Sequence, residues 1–192
     1  MGFDKMIDTS FLPKPIEGHM QLQEDIISLW TTVKDITNFK KLIEIGFNVG
    51  HSSTIILSLF DDVSINSFDI NRNSRTQEGA DLVKQKFVHR HNFFTYNTLD
   101  LRQDIINNKF KFPEADLIFI DGGHSYEVAL NDIMIAKENN IRYILVDDSN
   151  MEEVSKAISS VLFLKEIKTF NYTYSKKKKT NSIEARLFEL NV

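Results

Sequence analysis

The sequence predicts an α/β fold built on a mostly parallel sheet, and three observations carry that expectation. Short apolar runs recur at residues 42–45, 63–70, 93–96, 115–120 and 142–146, each of a length suited to a buried strand. Segments with apolar residues at helical spacing lie between them, the alternation that places crossover helices between parallel strands. The first run stops at a glycine turn and leads straight into a new apolar segment, so a strand delivers the chain to a helix N-terminus. The rest of the chain is organised around that turn.

The turn reads Leu42-Ile43-Glu44-Ile45-Gly46-Phe47-Asn48-Val49-Gly50-His51-Ser52-Ser53-Thr54. Ser52 or Ser53 is placed to cap the following helix, whose free N–H groups and positive dipole end face whatever lies above. A turn of this kind at the carboxyl end of a strand makes a ligand crevice. Dinucleotide sites need Gly-x-Gly-x-x-Gly, because the middle glycine admits a pyrophosphate. Here the spacing is Gly-x-x-x-Gly and Asn48 fills the middle position, which disfavours a pyrophosphate. Glu44 adds a carboxylate at the strand end, suited to a ligand with an ammonium group and repellent to a phosphate. A nucleoside carrying an amino acid fits better than a dinucleotide. The stretch resembles the first motif of class I S-adenosylmethionine-dependent methyltransferases, in which an acid and a glycine-rich turn hold the methionine end of the cofactor.

Composition sets the bounds. The 192 residues are 42% apolar, enough for one domain with a core. A net charge of −4 gives no general attraction to nucleic acid or membrane. With no cysteine there are no disulfides or thiolate metal sites. No apolar run is long enough to span a bilayer and no signal-peptide core is present, so the expected location is the cytoplasm. Residues 1–19, with Pro13 and Pro15 and no clear period, read as an N-terminal arm, and residues 20–192 as a single domain. Leu22, Ile26, Leu29, Trp30 and Val33 recur at helical spacing and predict an amphipathic helix over 20–35, packed on the sheet. His19 reads as a solvated loop histidine within reach of the crevice.

Asp69 ends the second strand roughly 20 residues past the glycine turn, where an α/β sheet grips two ribose hydroxyls. This matches the second motif of the same family. A helix is expected over 77–88, with Ala80, Val83, Lys84 and Phe87 on one side. The third strand ends at Asn97, which the resemblance makes a candidate adenine contact, and a short helix follows over 100–107. The fourth strand runs into Asp121-Gly122-Gly123-His124-Ser125-Tyr126-Glu127. Tyr126, Ala129, Leu130, Ile133 and Met134 then form the face of a helix packed on the sheet. A carboxylate and an imidazole thus arrive beside the same crevice. The Asp-Gly-x-His-Ser-Tyr-Glu segment resembles the signature of small-molecule and sugar O-methyltransferases of the macrocin type. The fifth strand ends in Asp147-Asp148-Ser149-Asn150, with Asn150 and Glu153 expected to cap the next helix. Runs at 163–174 and 183–190 predict two strands joined through the lysines 176–179, which read as a solvated hairpin tip.

The resemblance covers about residues 42–192. It implies a Rossmann-like seven-stranded sheet with a C-terminal antiparallel hairpin and helices on both faces. If the fourth and fifth strands are neighbours, about 4.8 Å apart, their terminal carboxylates converge. Carboxylates without thiols suit a hard ion such as Mg2+. Metal-dependent O-methyltransferases of the catechol and macrocin types use aspartates at these strand ends, which carries over Asp121, Asp147 and Asp148 as metal ligands. Gly123 departs from a position often acidic in that branch, which moves weight for a base onto His124, with Asp121 beside it, or onto no protein base at all.

The expectation is therefore a methyltransferase that takes S-adenosyl-L-methionine, with Mg2+ assistance, and methylates a hydroxyl of a small molecule, sugar or phenol-like. Glu44, Gly46, Asn48, Gly50, Ser52, Asp69, Asn97 and Asp121 are the candidate cofactor residues. No Asn-Pro-Pro-Tyr-like segment follows the fourth strand, which speaks against a flipped nucleic-acid base as substrate. Little insertion is present from which to build a lid, so a homo-oligomer could supply one. Two alternatives stay open: a nicotinamide-dependent oxidoreductase on the same sheet, and a non-catalytic cofactor-binding module.

Overall fold

The computed structural model describes residues 7–15, 24–176 and 179–191, with side chains outside 174–181. In chain order the elements are α1 (Glu24–Thr37), β1 (Lys41–Ile45), α2 (His51–Leu59), β2 (Ser64–Asp69), α3 (Ser74–Lys86), β3 (His91–Thr95) and α4 (Thr98–Ile106). Then follow β4 (Leu117–Ile120), α5 (Tyr126–Glu138), β5 (Tyr143–Val146), α6 (Glu152–Ser159), β6 (Leu164–Lys176) and β7 (Lys179–Leu190). One seven-stranded sheet has the order β3-β2-β1-β4-β5-β7-β6. The first five strands pair in parallel, and β7 enters antiparallel between β5 and β6. This is the Rossmann-like, mostly parallel sheet with a C-terminal antiparallel hairpin that the sequence implied.

The strands are apolar on both sides because both faces are covered. Leu42, Ile65, Leu117, Phe119 and Leu145 pack with Trp30, Ile55 and Val83 of α1–α3. The alternate positions Ile43, Ile45, Ile118, Ile120 and Val146 pack with Leu101, Ile133 and Val154 of α4–α6. Trp30 anchors the first layer edge-on to Phe119, with ring centroids 5.0 Å apart. No helix among the described residues is long and apolar enough to cross a membrane.

Several local expectations change. The helix expected over 20–35 runs to Thr37, and its first residues and His19 lie outside the described residues. Gly50, not Ser52 or Ser53, caps α2, in the left-handed region at φ 90°. Both serines point into the protein instead. Asn150 does not cap α6: Met151 holds that position without a side-chain bond, while Asn150 Nδ2 donates to the Ser182 carbonyl of β7. On α5 the buried face takes in Asn131, Asp132, Ile135 and Ala136, while Leu130 and Met134 are half-buried and Tyr126 exposed. The helix is gripped between α4 and α6 as well as by the sheet, so its buried arc is wider than one stripe. The hairpin stays paired out to Lys176 and Lys179, beyond the expected ends of both strands. Within residues 7–15, Leu12 joins the core, and Phe11 lies under Lys86 Nζ at 4.0 Å, which docks this part of the arm beside α3.

Candidate functional site

The sheet order reverses direction between β1 and β4, and the turns after these two strands face one another there. Gly46 makes that approach possible. Its φ is 93°, and a β-carbon on it would stand 1.9 Å from the Asp121 carbonyl oxygen. The Asp121 N–H in turn donates to the Ile45 carbonyl at 2.8 Å.

Asp69 ends β2 and reaches across to the glycine turn. Its Oδ2 accepts from the N–H groups of Phe47 and Asn48 at 3.0 and 2.9 Å, and its Oδ1 from Asn71 N at 2.8 Å. A carboxylate thus fixes the turn that holds Asn48 at φ 55°. Asn97 caps α4 through Leu99 N at 3.3 Å and is half-buried.

Glu44 does not face the crevice. Strand alternation puts it on the same side of β1 as Leu42, under α2, where it is 0% exposed. Ser52 Oγ donates to its Oε1, and Ser53 Oγ and Ser67 Oγ donate to Oε2 at 2.6 Å each. Ser67 also meets His91 Nε2 at 3.1 Å. Burial pushes the Glu44 carboxyl up, opposed by the three serine hydroxyls. Glu44 and Ser52 therefore form a polar keel beneath the glycine turn rather than a surface offered to a ligand.

On the other side of the switch, Asp121, His124 and Asp148 converge, each offering one ligand atom within 4.8 Å of the others. His124 Nε2 lies 3.1 Å from Asp148 Oδ2. Asp148 achieves this with φ 49°, a left-handed conformation at the end of β5. Asp147, expected in the same group, lies near Asp121 but is bonded by Tyr172 instead. It is 7% exposed and accepts from the Tyr172 hydroxyl of β6 at 2.5 Å. The backbone explains the split: the left-handed turn at Asp148 swings its carboxylate toward His124, while Asp147 keeps the course of β5 toward Tyr172. Burial pushes Asp147 up to about 7, helped by the charge of Asp148. Asp121 is pushed well above the ordinary carboxylate range by burial and by the charges of Asp147, Asp148 and Glu44.

Clustered carboxyls that repel one another are what a bound dication relieves. The carboxylates of Asp121 and Asp148 fit a hard ion such as Mg2+ or Mn2+, while the imidazole of His124 beside them is a donor better suited to Zn2+ or Fe2+. Sequence reasoning did not find Tyr172, Ser67 or His91. Nothing in their surroundings along the chain marks them, because each partner lies on another strand.

The family model described as a methyltransferase domain matches residues 43–149. None of the curated proteins matches the chain significantly in sequence. Among solved structures, an O-methyltransferase from Bacillus cereus in complex with S-adenosylhomocysteine superposes with a TM-score of 0.61 at 15% identity, covering 93% of this chain and 84% of that one. TomG from Streptomyces achromogenes, an O-methyltransferase of tomaymycin synthesis in complex with S-adenosylmethionine, gives 0.60 at 10% identity over 89% and 82%. The N-methyltransferase NodS from Bradyrhizobium japonicum, with S-adenosylhomocysteine, gives 0.61 at 11% over 88% and 89%. At these identities the structures share the fold, while the family match spans more than half of the chain and both turns of the crevice. The chain belongs to the methyltransferase-domain family.

Proposed function

We propose that the protein transfers a methyl group from S-adenosylmethionine to a hydroxyl of a small molecule, with a divalent cation, Mg2+ for preference, at the transfer site. The observation that carries this reading is the meeting of Asp121, His124 and Asp148 across from the Gly46 turn. The cofactor supplies an electrophilic methyl group on a sulfonium. A cation held by Asp121 and Asp148 would add positive charge beside an acceptor hydroxyl and lower its pKa.

The chain's own residues do the rest. The Gly46–Gly50 turn and Asn48, fixed by Asp69, shape one wall of the crevice, and Asn97 stands at its adenine end. Asp148 orients His124, whose imidazole takes the acceptor proton. The macrocin-type likeness and the glycine at position 123 support His124 in this role. Convergence of the three side chains also favours a second reading, in which His124 is the third ligand of the cation. Pulsed EPR with Mn2+ separates the two, since a ligating imidazole gives a 14N coupling that disappears in His124→Gln.

The activity test offers catechol and a panel of monosaccharides as acceptors, with labelled S-adenosylmethionine, in Mg2+ and again in EDTA. The expected result is transfer to one acceptor class that EDTA and Asp148→Ala each reduce about a hundredfold or more. Transfer indifferent to EDTA removes the cation from the proposal. Tight nicotinamide-cofactor binding with no S-adenosyl binding replaces the proposal with an oxidoreductase.

A further inference from the structure

One buried carboxyl lies where three segments of the candidate site meet. Asp132, on α5, has no exposed surface. It accepts from Asn131 Nδ2 at 3.3 Å, and the side chain of Thr98, the first residue of α4, lies beside it. A β-carbon on Gly122 would stand 3.2 Å from Asp132 Oδ2 and 3.2 Å from Ile45 Cγ2. The carboxyl therefore packs onto the backbone of the turn that carries Asp121 and His124, and that turn packs onto the end of β1 just before Gly46. Asp132 Oδ2 has no hydrogen-bond partner among the described residues.

A carboxyl on the core side of a helix carries a large desolvation cost. Its neighbours one turn away on this face, Ala129 and Ala136, are apolar and buried, so an aliphatic residue would serve packing alone. A carboxyl adds two things together: a polar group beside the Thr98 hydroxyl, and a flat group thin enough to lie against a glycine. The segments around it carry the candidate ligand residues: the Gly122 turn carries Asp121 and His124 and packs on Ile45, just before Gly46, and Asn97 precedes Thr98.

We infer that Asp132 is a positioning residue: it braces the Asp121–His124 turn against the Asn97–Thr98 helix start and so fixes the floor of the crevice. The inference rests on the proposal that the crevice is the ligand site, and its effect on binding is exerted through those two segments.

The test compares Asp132→Ala, Asp132→Asn and Thr98→Val by residue-resolved amide hydrogen exchange and by calorimetric titration of S-adenosylhomocysteine. Asparagine keeps the shape and the acceptor. The brace predicts that Asp132→Ala speeds exchange at the Asp121 and Leu101 amides and weakens binding, each by about tenfold or more, the scale of one lost buried hydrogen bond. Asp132→Asn should weaken binding by no more than about threefold and should not speed exchange at either amide. Thr98→Val should release Leu101 but leave Asp121 protected. Ile158→Ala, a truncation in the same core layer, should lower stability without changing affinity. Unchanged exchange at both amides in Asp132→Ala, or asparagine as damaging as alanine, overturns the inference. If the alanine variant does not fold, the contrast between Asp132→Asn and Thr98→Val decides it. If wild type does not bind S-adenosylhomocysteine, the proposed function falls, while the exchange data still judge the brace.

Discussion

Gly46 is the residue on which the crevice turns. At φ 93°, with the Asp121 carbonyl 1.9 Å from any β-carbon, alanine strains the backbone and pushes the β1 and β4 turns apart together. Gly46→Ala is expected to lower the unfolding free energy by about 3 kcal/mol or more, read from urea denaturation. Glu44→Gln tests the keel beneath it. An amide –NH2 would face serine hydroxyls that now donate to a carboxylate, so the expected loss is about 1–2 kcal/mol by the same measurement. These two residues also mark what the sequence could and could not say. The role of Gly46 is legible, because a glycine ending an apolar run announces a tight turn. The direction of Glu44 is not, because it depends on which face of β1 α2 covers. The spacing of Ser52 and Ser53 suits a cap as well as it suits bonds back to residue 44, and only the packed helix decides between them.

At the scale of elements, the β6–β7 hairpin is sewn to the loop after β5. Tyr172 donates to Asp147, Ser149 N and Oγ donate to the Glu184 carbonyl, and Asn150 donates to the Ser182 carbonyl. Tyr172→Phe leaves Asp147 buried without its donor. The expected cost is about 1–3 kcal/mol in a urea titration, with the loss largest where Asp147 is ionised. The seven strands and six helices among the described residues were readable as elements, since apolar runs and helical periods are local signals. Their ends and caps were less so. Asn150 followed by Glu153 has the pattern of a capping box, yet its side chain is claimed by a strand 32 residues further on. Asp147 shows the same limit at the site: an Asp-Asp pair reads as two ligands, but the left-handed turn at Asp148 carries one to the cluster while the other is bonded by Tyr172.

The whole molecule carries buried acids whose ionisation opposes folding. Asp132 and Asp147 both have folded values raised from 3.8 to about 7. Between those pH values the folded state holds more protons on these two groups than the unfolded state, so their contribution to stability is fully present below about pH 4 and declines as pH rises to about 7. Asp132→Asn removes its own share. The variant is therefore expected to match wild type near pH 4 and to exceed it by roughly 3–4 kcal/mol at pH 8, measured by urea denaturation at the two pH values.

The central claim is that the crevice between the β1 and β4 turns takes an S-adenosyl cofactor beside a cation. The measurement that tests it most directly is calorimetric titration of S-adenosylhomocysteine into wild type, with Mg2+ and again with EDTA, alongside Asp148→Ala. The account predicts micromolar binding, together with a separate Mg2+ heat that the variant lacks. No binding of S-adenosylhomocysteine under either condition would contradict it.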